Sequence, residues 1–240
     1  MAVIYIRNDL GDIPLGKIMA QACHAYGKLW IERLELQNYW FLTSQAYRLT
    51  KPALKALDLA VPPTVQYCSL EELMNVPDIT LIKDAGLTVF KEPTITCGAV
   101  APELGPKSTK PLIHHEHNTR FCKQAIFINR KHAIAQDTDK LISETAFASA
   151  QTLLRRIRPK NGLLTLIRGE PLDHWIHGRF GKTVVGTKKP TKMEEMKERF
   201  DEEDKFNIFD QDAGFCTSPI QSDLIEDYTR TKHFRLLDVV

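Results

Sequence analysis

Val3-Ile4-Tyr5-Ile6-Arg7, and after eight intervening residues Gly16-Lys17-Ile18-Met19-Ala20-Gln21-Ala22-Cys23-His24-Ala25, is the stretch on which the fold turns. The short apolar run suits a buried parallel strand. The loop behind it carries Gly11 and Pro14, and Lys17 to Trp30 then has the small and apolar spacing of a packed helix. Further on, Val65–Cys68 reads as a strand, Ser69–Leu73 as a helix and Ile79–Ile82 as a strand leading into Asp84-Ala85-Gly86, with another strand over Thr94–Val100. Strand, loop and helix followed by strand, helix and strand predict an open α/β sheet with crossover connections.

The same pattern recurs later in the chain. At an offset of 123, Ile126-Phe127-Ile128-Asn129-Arg130 repeats the first strand, with Arg130 on Arg7, and Lys140 to Ala150 repeats the helix start, with Lys140 on Lys17. Lys182–Val185, Lys192–Phe200 and Phe206–Phe209 then lead into a second Asp-Ala-Gly triplet, Asp212-Ala213-Gly214, at an offset of 128. Two such triplets in the same order behind the same elements predict a tandem duplication. The expected organisation is a first domain over 1–107, a linker over 108–122, with Gly105, Pro106, Ser108 and Pro111 interrupting regular structure around the boundary, and a second copy over 123–240. The linker holds His114-His115-Glu116-His117. Consecutive histidines cannot converge on one ion and lack the HExxH spacing, so no metal is expected there. Residues 31–63 have no counterpart, and their apolar and aromatic residues suggest one or two extra helices closed by Pro62-Pro63.

Composition narrows the class. Hydrophobic residues at 43% and charged residues at 26% are those of a globular chain. The first residues have too short an apolar run for a secretory signal, no stretch has membrane-spanning length, and the five cysteines lack CxxC spacing, so a cytoplasmic protein with free thiols is expected. The formal charge is only +2, and Lys/Arg balance Asp/Glu in both halves. Any polyanion must therefore be held by local patches.

Ligands of open α/β sheets bind beyond the carboxyl ends of the parallel strands. That rule selects the loop ending at Gly16-Lys17 and the one starting at Asp84. Gly86 permits a sharp turn toward Thr88, and an adjacent edge strand would bring Thr96 close. Pattern alone fits equally well a Lys–Asp ion pair beside two β-favouring threonines.

These residues also resemble a family. The Val3–Leu10 segment, Gly16–Ala25, Ile82-Lys83-Asp84-Ala85-Gly86-Leu87-Thr88 and Glu92-Pro93-Thr94-Ile95-Thr96-Cys97 look, in order and spacing, like the type 2 peptidyl-tRNA hydrolases. The resemblance covers about residues 2–102. It implies a three-layer α/β/α unit with a four-stranded mixed sheet, and with the repeat the expected α/β architecture is tandem units of this kind forming a pseudo-dimer. It implies Lys17, Asp84, Thr88 and Thr96 as catalytic residues, and Gln21 and His24 as substrate-binding residues on the first helix. The basic cluster Arg155, Arg156 and Arg158 is expected to contact the RNA backbone, and Lys188, Lys189 and Lys192 form a second short cluster. Two departures are plain: Pro14-Leu15-Gly16-Lys17 lacks the first lysine of the family's Gly-Lys-Gly-Lys, and the helix after strand 65–68 is cut short by Pro77.

The implied reaction is hydrolysis of the ester joining peptide to tRNA, with no cofactor and no metal. Water is the more natural nucleophile, oriented or deprotonated by Asp84, while Lys17 and the positive end of its helix stabilise the oxyanion. The alternative is a non-catalytic tRNA- or RNA-binding module on the same fold. By the repeat offset, Thr88 falls on Cys216, Gln21 on Glu144 and His24 on Phe147, while Thr96 falls near Leu224; Trp175, Gly178 and Lys182 keep the family's lead into its second strand. The expected partners are peptidyl-tRNA or tRNA and no membrane. The expected molecule is a monomer with internal pseudo-twofold symmetry and one working site.

Overall fold

The computed structural model describes residues 1–37, 43–110, 121–157, 162–178, 180–202, 208–211 and 213–237. His114–His117, Arg158 and Asp212 lie outside the described residues. The first unit runs β1 (Val3–Arg7), α1 (Leu15–Ile31), β2 (Leu34–Gln37), β3 (Ser44–Leu49), α2 (Lys51–Ala56), β4 (Thr64–Cys68), α3 (Leu70–Met74), β5 (Thr80–Asp84) and β6 (Thr94–Val100). The second runs β7 (Cys122–Asn129), α4 (Arg130–Ala135), α5 (Thr138–Leu154), β8 (Leu163–Ile167), α6 (Pro171–His177), β9 (Gly181–Thr187), α7 (Pro190–Glu202), β10 (Ile208–Gln211), β11 (Gly214–Thr217), β12 (Ile220–Gln221), α8 (Ser222–Thr229) and β13 (Arg235–Leu236).

The first sheet has the order β4-β1-β6-β5, with β1 parallel to β4 and antiparallel to β6, and β5 antiparallel to β6. In the second sheet the path β9-β7-β11-β10 has the same order and the same directions, and β13 is added at the β9 edge. Both long helices have 17 residues and keep the offset of 123. Two α/β units of one topology are therefore present.

In β1 the pleat turns Ile4 and Ile6 into the core beneath α1 while Val3, Tyr5 and Arg7 stay half-exposed. In β7 the residues sharing the core with α5 are Ile126 and Ile128, whereas Phe127 faces the opposite layer. The strands thus correspond at an offset of 122, one less than the helices. A one-residue slip exchanges the two faces of a strand, which is why the ungapped reading misplaced them. The outer layers also differ. In the first unit, among the described residues, the five-residue α3 is what covers the outer face of the sheet, started by a capping box in which Ser69 Oγ accepts from Glu72 N at 3.2 Å and Glu72 Oε2 accepts from Ser69 N at 2.7 Å. In the second unit α7 and α8 close over Phe127, Phe200, Phe215 and Phe234.

The expectation of extra helices in 31–63 is corrected. Leu34 and Leu36 alternate with Glu35 and Gln37, which is a strand's period, and β2 pairs with β3. β3 also pairs with β8 of the other unit, making a three-stranded sheet across the molecule, and among the described residues of the segment the helical stretches are the short α2 and a 3-10 turn over Leu57–Leu59.

The units meet through their long helices. α1 packs on α5 and on β9, and reciprocally α5 packs on α1 and on β4, so one core runs through both units. Near its start, Gly16 of α1 touches Leu237, whose N–H donates to Val184 O in β9; near its end, Gly27 touches Phe180, just before β9 begins. α1 is therefore antiparallel to β9 as well as to β1. The carboxyl ends of the parallel strands of both units point the same way.

Candidate functional site

The site lies at that common end. β5 is parallel to β1 and delivers Asp84 at its last position, facing the first turn of α1, where Lys17 sits. Lys17 Nζ donates to Asp84 Oδ2 and, at 2.9 Å, to Thr88 Oγ1. Gln21, one helical turn on, donates from Nε2 to the same Asp84 oxygen at 2.7 Å and accepts from Thr96 Oγ1 at 3.1 Å. The other carboxylate oxygen accepts the Gly86 N–H at 2.9 Å. Gly86 has φ +76°, and a Cβ there would lie 2.4 Å from the Glu92 backbone, so the turn that brings Thr88 back over Lys17 requires glycine.

Four expected catalytic residues and Gln21 thus form one continuous hydrogen-bonded group. Asp84 and Thr96 are buried and Thr88 is exposed, so the group runs from the interior to solvent. Its cleft is lined by Ile13, Ile18, Phe90 and Cys97 as well as by Lys17, Gln21 and Thr96, and the Phe90 ring lies 5.9 Å from Lys17 Nζ. The anionic Asp84 sits at the positive end of α1, which favours it. The apolar wall from Ile13 and Phe90 escaped the sequence reading because both residues are on loops, where periodicity says nothing.

Gln21 bridges Asp84 and Thr96 and holds them in register. Cys97 Sγ donates to the Gln21 backbone carbonyl at 3.3 Å and pins that turn of the helix to β6. His24 is not brought to the cleft. Its ring lies 5.9 Å from that of Phe180 in the second unit, its Nε2 is enclosed, and burial together with the charges of Lys182 and Lys17 holds its imidazole well below the usual histidine range. Arg155 and Arg156 follow the last turn of α5. The start of α5 is at the site end of the molecule, where Tyr67 Oη at the close of β4 donates to Asp139 at 2.8 Å. The arginines lie a helix length away, about 25 Å for seventeen residues.

Among its described residues, which leave out Asp212, the second unit has no equivalent group. β10 and β11 are joined across residues 212–213 alone, with Gln211 paired to Gly214, so the loop that carries Thr88 and Phe90 has no counterpart. Cys216, aligned by offset with Thr88, is a buried strand residue opposite Ile126, and Leu224, aligned near Thr96, is on α8. Lys140 is on the surface beside Glu144, 3.4 Å away. Among the described residues no three His, Cys, Asp or Glu side chains are grouped as a metal ion would need, and no helix is long and apolar enough to cross a membrane.

Residues 1–110 match the family model described as peptidyl-tRNA hydrolase PTH2. No curated protein and no solved structure matches the chain.

Proposed function

With residues 1–110 matching the peptidyl-tRNA hydrolase PTH2 family, we propose that the chain hydrolyses the ester of peptidyl-tRNA, or of N-acylated aminoacyl-tRNA, releasing free tRNA. The observation that carries the reading is the Lys17–Asp84 pair at the start of α1, tied by Gln21 and Thr96 and opening to solvent through Thr88. The ester carbonyl lies over Lys17, whose ammonium passes from Asp84 to the oxyanion as charge develops there. Water adds to the carbonyl carbon, and its proton goes to Asp84 Oδ1, which among the described residues is engaged by the Gly86 N–H alone while Oδ2 holds Lys17 and Gln21. The ribose oxygen then leaves and takes a proton, giving a peptide acid and tRNA. Thr88 positions the water, and the Phe90 and Ile13 wall receives an apolar part of the substrate. The chemistry needs no metal, and an enzyme with this substrate works in the cytoplasm, where translation runs.

The second unit is read as a duplicated copy that keeps fold and contact surface without a site. Its strand order, its 17-residue helix and the reciprocal packing support this. The test is release of tRNA from N-acetyl-aminoacyl-tRNA by the purified chain in chelator. Lys17→Ala and Asp84→Ala are each expected to lower kcat by two or more powers of ten, and Asp212→Ala to leave it nearly unchanged. Tight tRNA binding without release would establish the binding module instead, and equal losses at Asp84 and Asp212 would show two sites.

A further inference from the structure

Two basic segments forty residues apart meet on the second unit. β13 pairs antiparallel with β9, Arg235 opposite Gly186, so the chain leading into Arg235 passes the residues that follow Thr187. Lys188 and Lys189 are thereby set beside Lys232 and Arg235, and all four are exposed. Between them, burial and then the charges of Lys189, Lys232 and Lys192 lower the His233 imidazole from its usual range, against an opposing effect from Glu195. Glu195 pairs with Lys192, whereas among the described residues no carboxylate pairs with Lys188, Lys189, Lys232 or Arg235. The thirteen-residue α7 starts at Pro190 in the middle of this group and adds the positive end of a helix.

The group is on the same end of the molecule as the cleft, because the carboxyl ends of β1 and β9 point the same way. It is also physically joined to the cleft. Leu237, about 7 Å beyond Arg235 at strand spacing, accepts the Gly16 N–H at 2.9 Å, one residue before Lys17. We propose that Lys188, Lys189, Lys192, Lys232 and Arg235 form the docking surface for the phosphate chain of the RNA whose 3′ ester enters the Lys17–Asp84 cleft. The proposal rests on the hydrolase reading. It gives the second unit a task in the reaction, and it moves the RNA contact from Arg155 and Arg156, at the far end of α5, to the site end. A polyanion with regularly spaced charges fits a surface of several exposed cations, and each phosphate contact releases counterions.

The test uses the full chain with Lys188→Glu, Lys189→Glu and Lys232→Glu combined, and a second variant with Ala at the same three positions. Probes are uncharged tRNA for binding and N-acetyl-aminoacyl-tRNA for release. The expected result is a rise of tenfold or more in Kd and KM with kcat kept, and a log–log salt dependence of binding shallower by about 2–3 in the Ala variant. Arg155→Glu with Arg156→Glu should bind as the parent does. Wild-type binding in both triple variants, or a loss confined to the arginine variant, would overturn the docking surface and leave ester hydrolysis standing. Patch-dependent tRNA binding without release would uphold the surface and remove the hydrolase. A parent chain that does not bind tRNA would remove both.

Discussion

Lys182 shows how far a single residue departs from what its type suggests. Its Nζ is buried between the rings of Trp175 and Phe180, 4.4 Å and 3.7 Å from their centroids, and among the described residues it has no hydrogen-bond partner. Burial pulls its pKa from 10.5 down to about 7. Across pH 7 to 9 the unfolded chain therefore keeps a proton that the folded chain has released, and folded stability rises with pH by up to about 1.4 kcal/mol per unit. Cys23 and Cys97 are pushed up from 9.0 to about 12 by burial, so they oppose this only above pH 9. Lys182→Met is expected to be more stable than the parent at pH 7 and to have a flat urea midpoint from pH 7 to 9; a midpoint that rises as in the parent would place the titration elsewhere. Trp175, Gly178 and Lys182 were legible as a motif, but the burial of Lys182 was not, because Cys23 and Cys216 come near it only through tertiary packing. Lys17, Asp84, Thr88 and Thr96 were legible because each lies in a short segment with its own turn or strand grammar. The bridging role of Gln21 follows from a rotamer that no sequence spacing reveals.

Among the elements, α1 depends most on the other unit. Pro14 stands at its N-cap and offers no side-chain acceptor, and the Leu237 carbonyl takes the Gly16 N–H in its place. A Cβ at Gly16 would lie 2.6 Å from that carbonyl oxygen and 2.9 Å from the Leu237 Cβ, so only glycine lets β13 cross the helix start. Gly16→Val should destabilise by about 1–3 kcal/mol, lowering Tm by about 2–4 °C per kcal/mol, and should lower kcat because Lys17 is the next residue. Calorimetry and single-turnover rates check this; a variant with parental Tm and kcat would show the contact to be dispensable. α1, α3, α5 and α7 were readable from the sequence, whereas α4, α6 and α8 were not. β2, β3 and β8 were not, since β3 finds its outer partner more than a hundred residues away. The register of β7 failed by one residue, which a strand turns into the opposite face, and β11 was missed because the shortened 212–213 connection puts it directly behind the second Asp-Ala-Gly turn.

At the scale of the molecule the recurring order of strands and helices was legible, and the side chains through which α1 and α5 pack were not. Cys23, Tyr26 and Leu29 of α1 and Ile142, Ala146 and Leu153 of α5 belong to one core, so neither unit closes without the other. Residues 1–110 expressed alone are expected to self-associate or precipitate, because the α1 face that α5 covers would meet water. Sedimentation of that fragment as a stable monomer would show the shared core to be incidental. The contact between α1 and α5 joins two stretches of one polypeptide, and that has a consequence of mass action. A partner held by the chain has a fixed effective concentration, so dilution cannot remove it, and the Tm of the full chain should not follow protein concentration through this interface. Nor must the two sides stay alike. In a pair of identical chains every substitution on one face is copied onto the other; in this chain, His24 can keep its place against Phe180 while Phe147, its counterpart on α5, changes on its own.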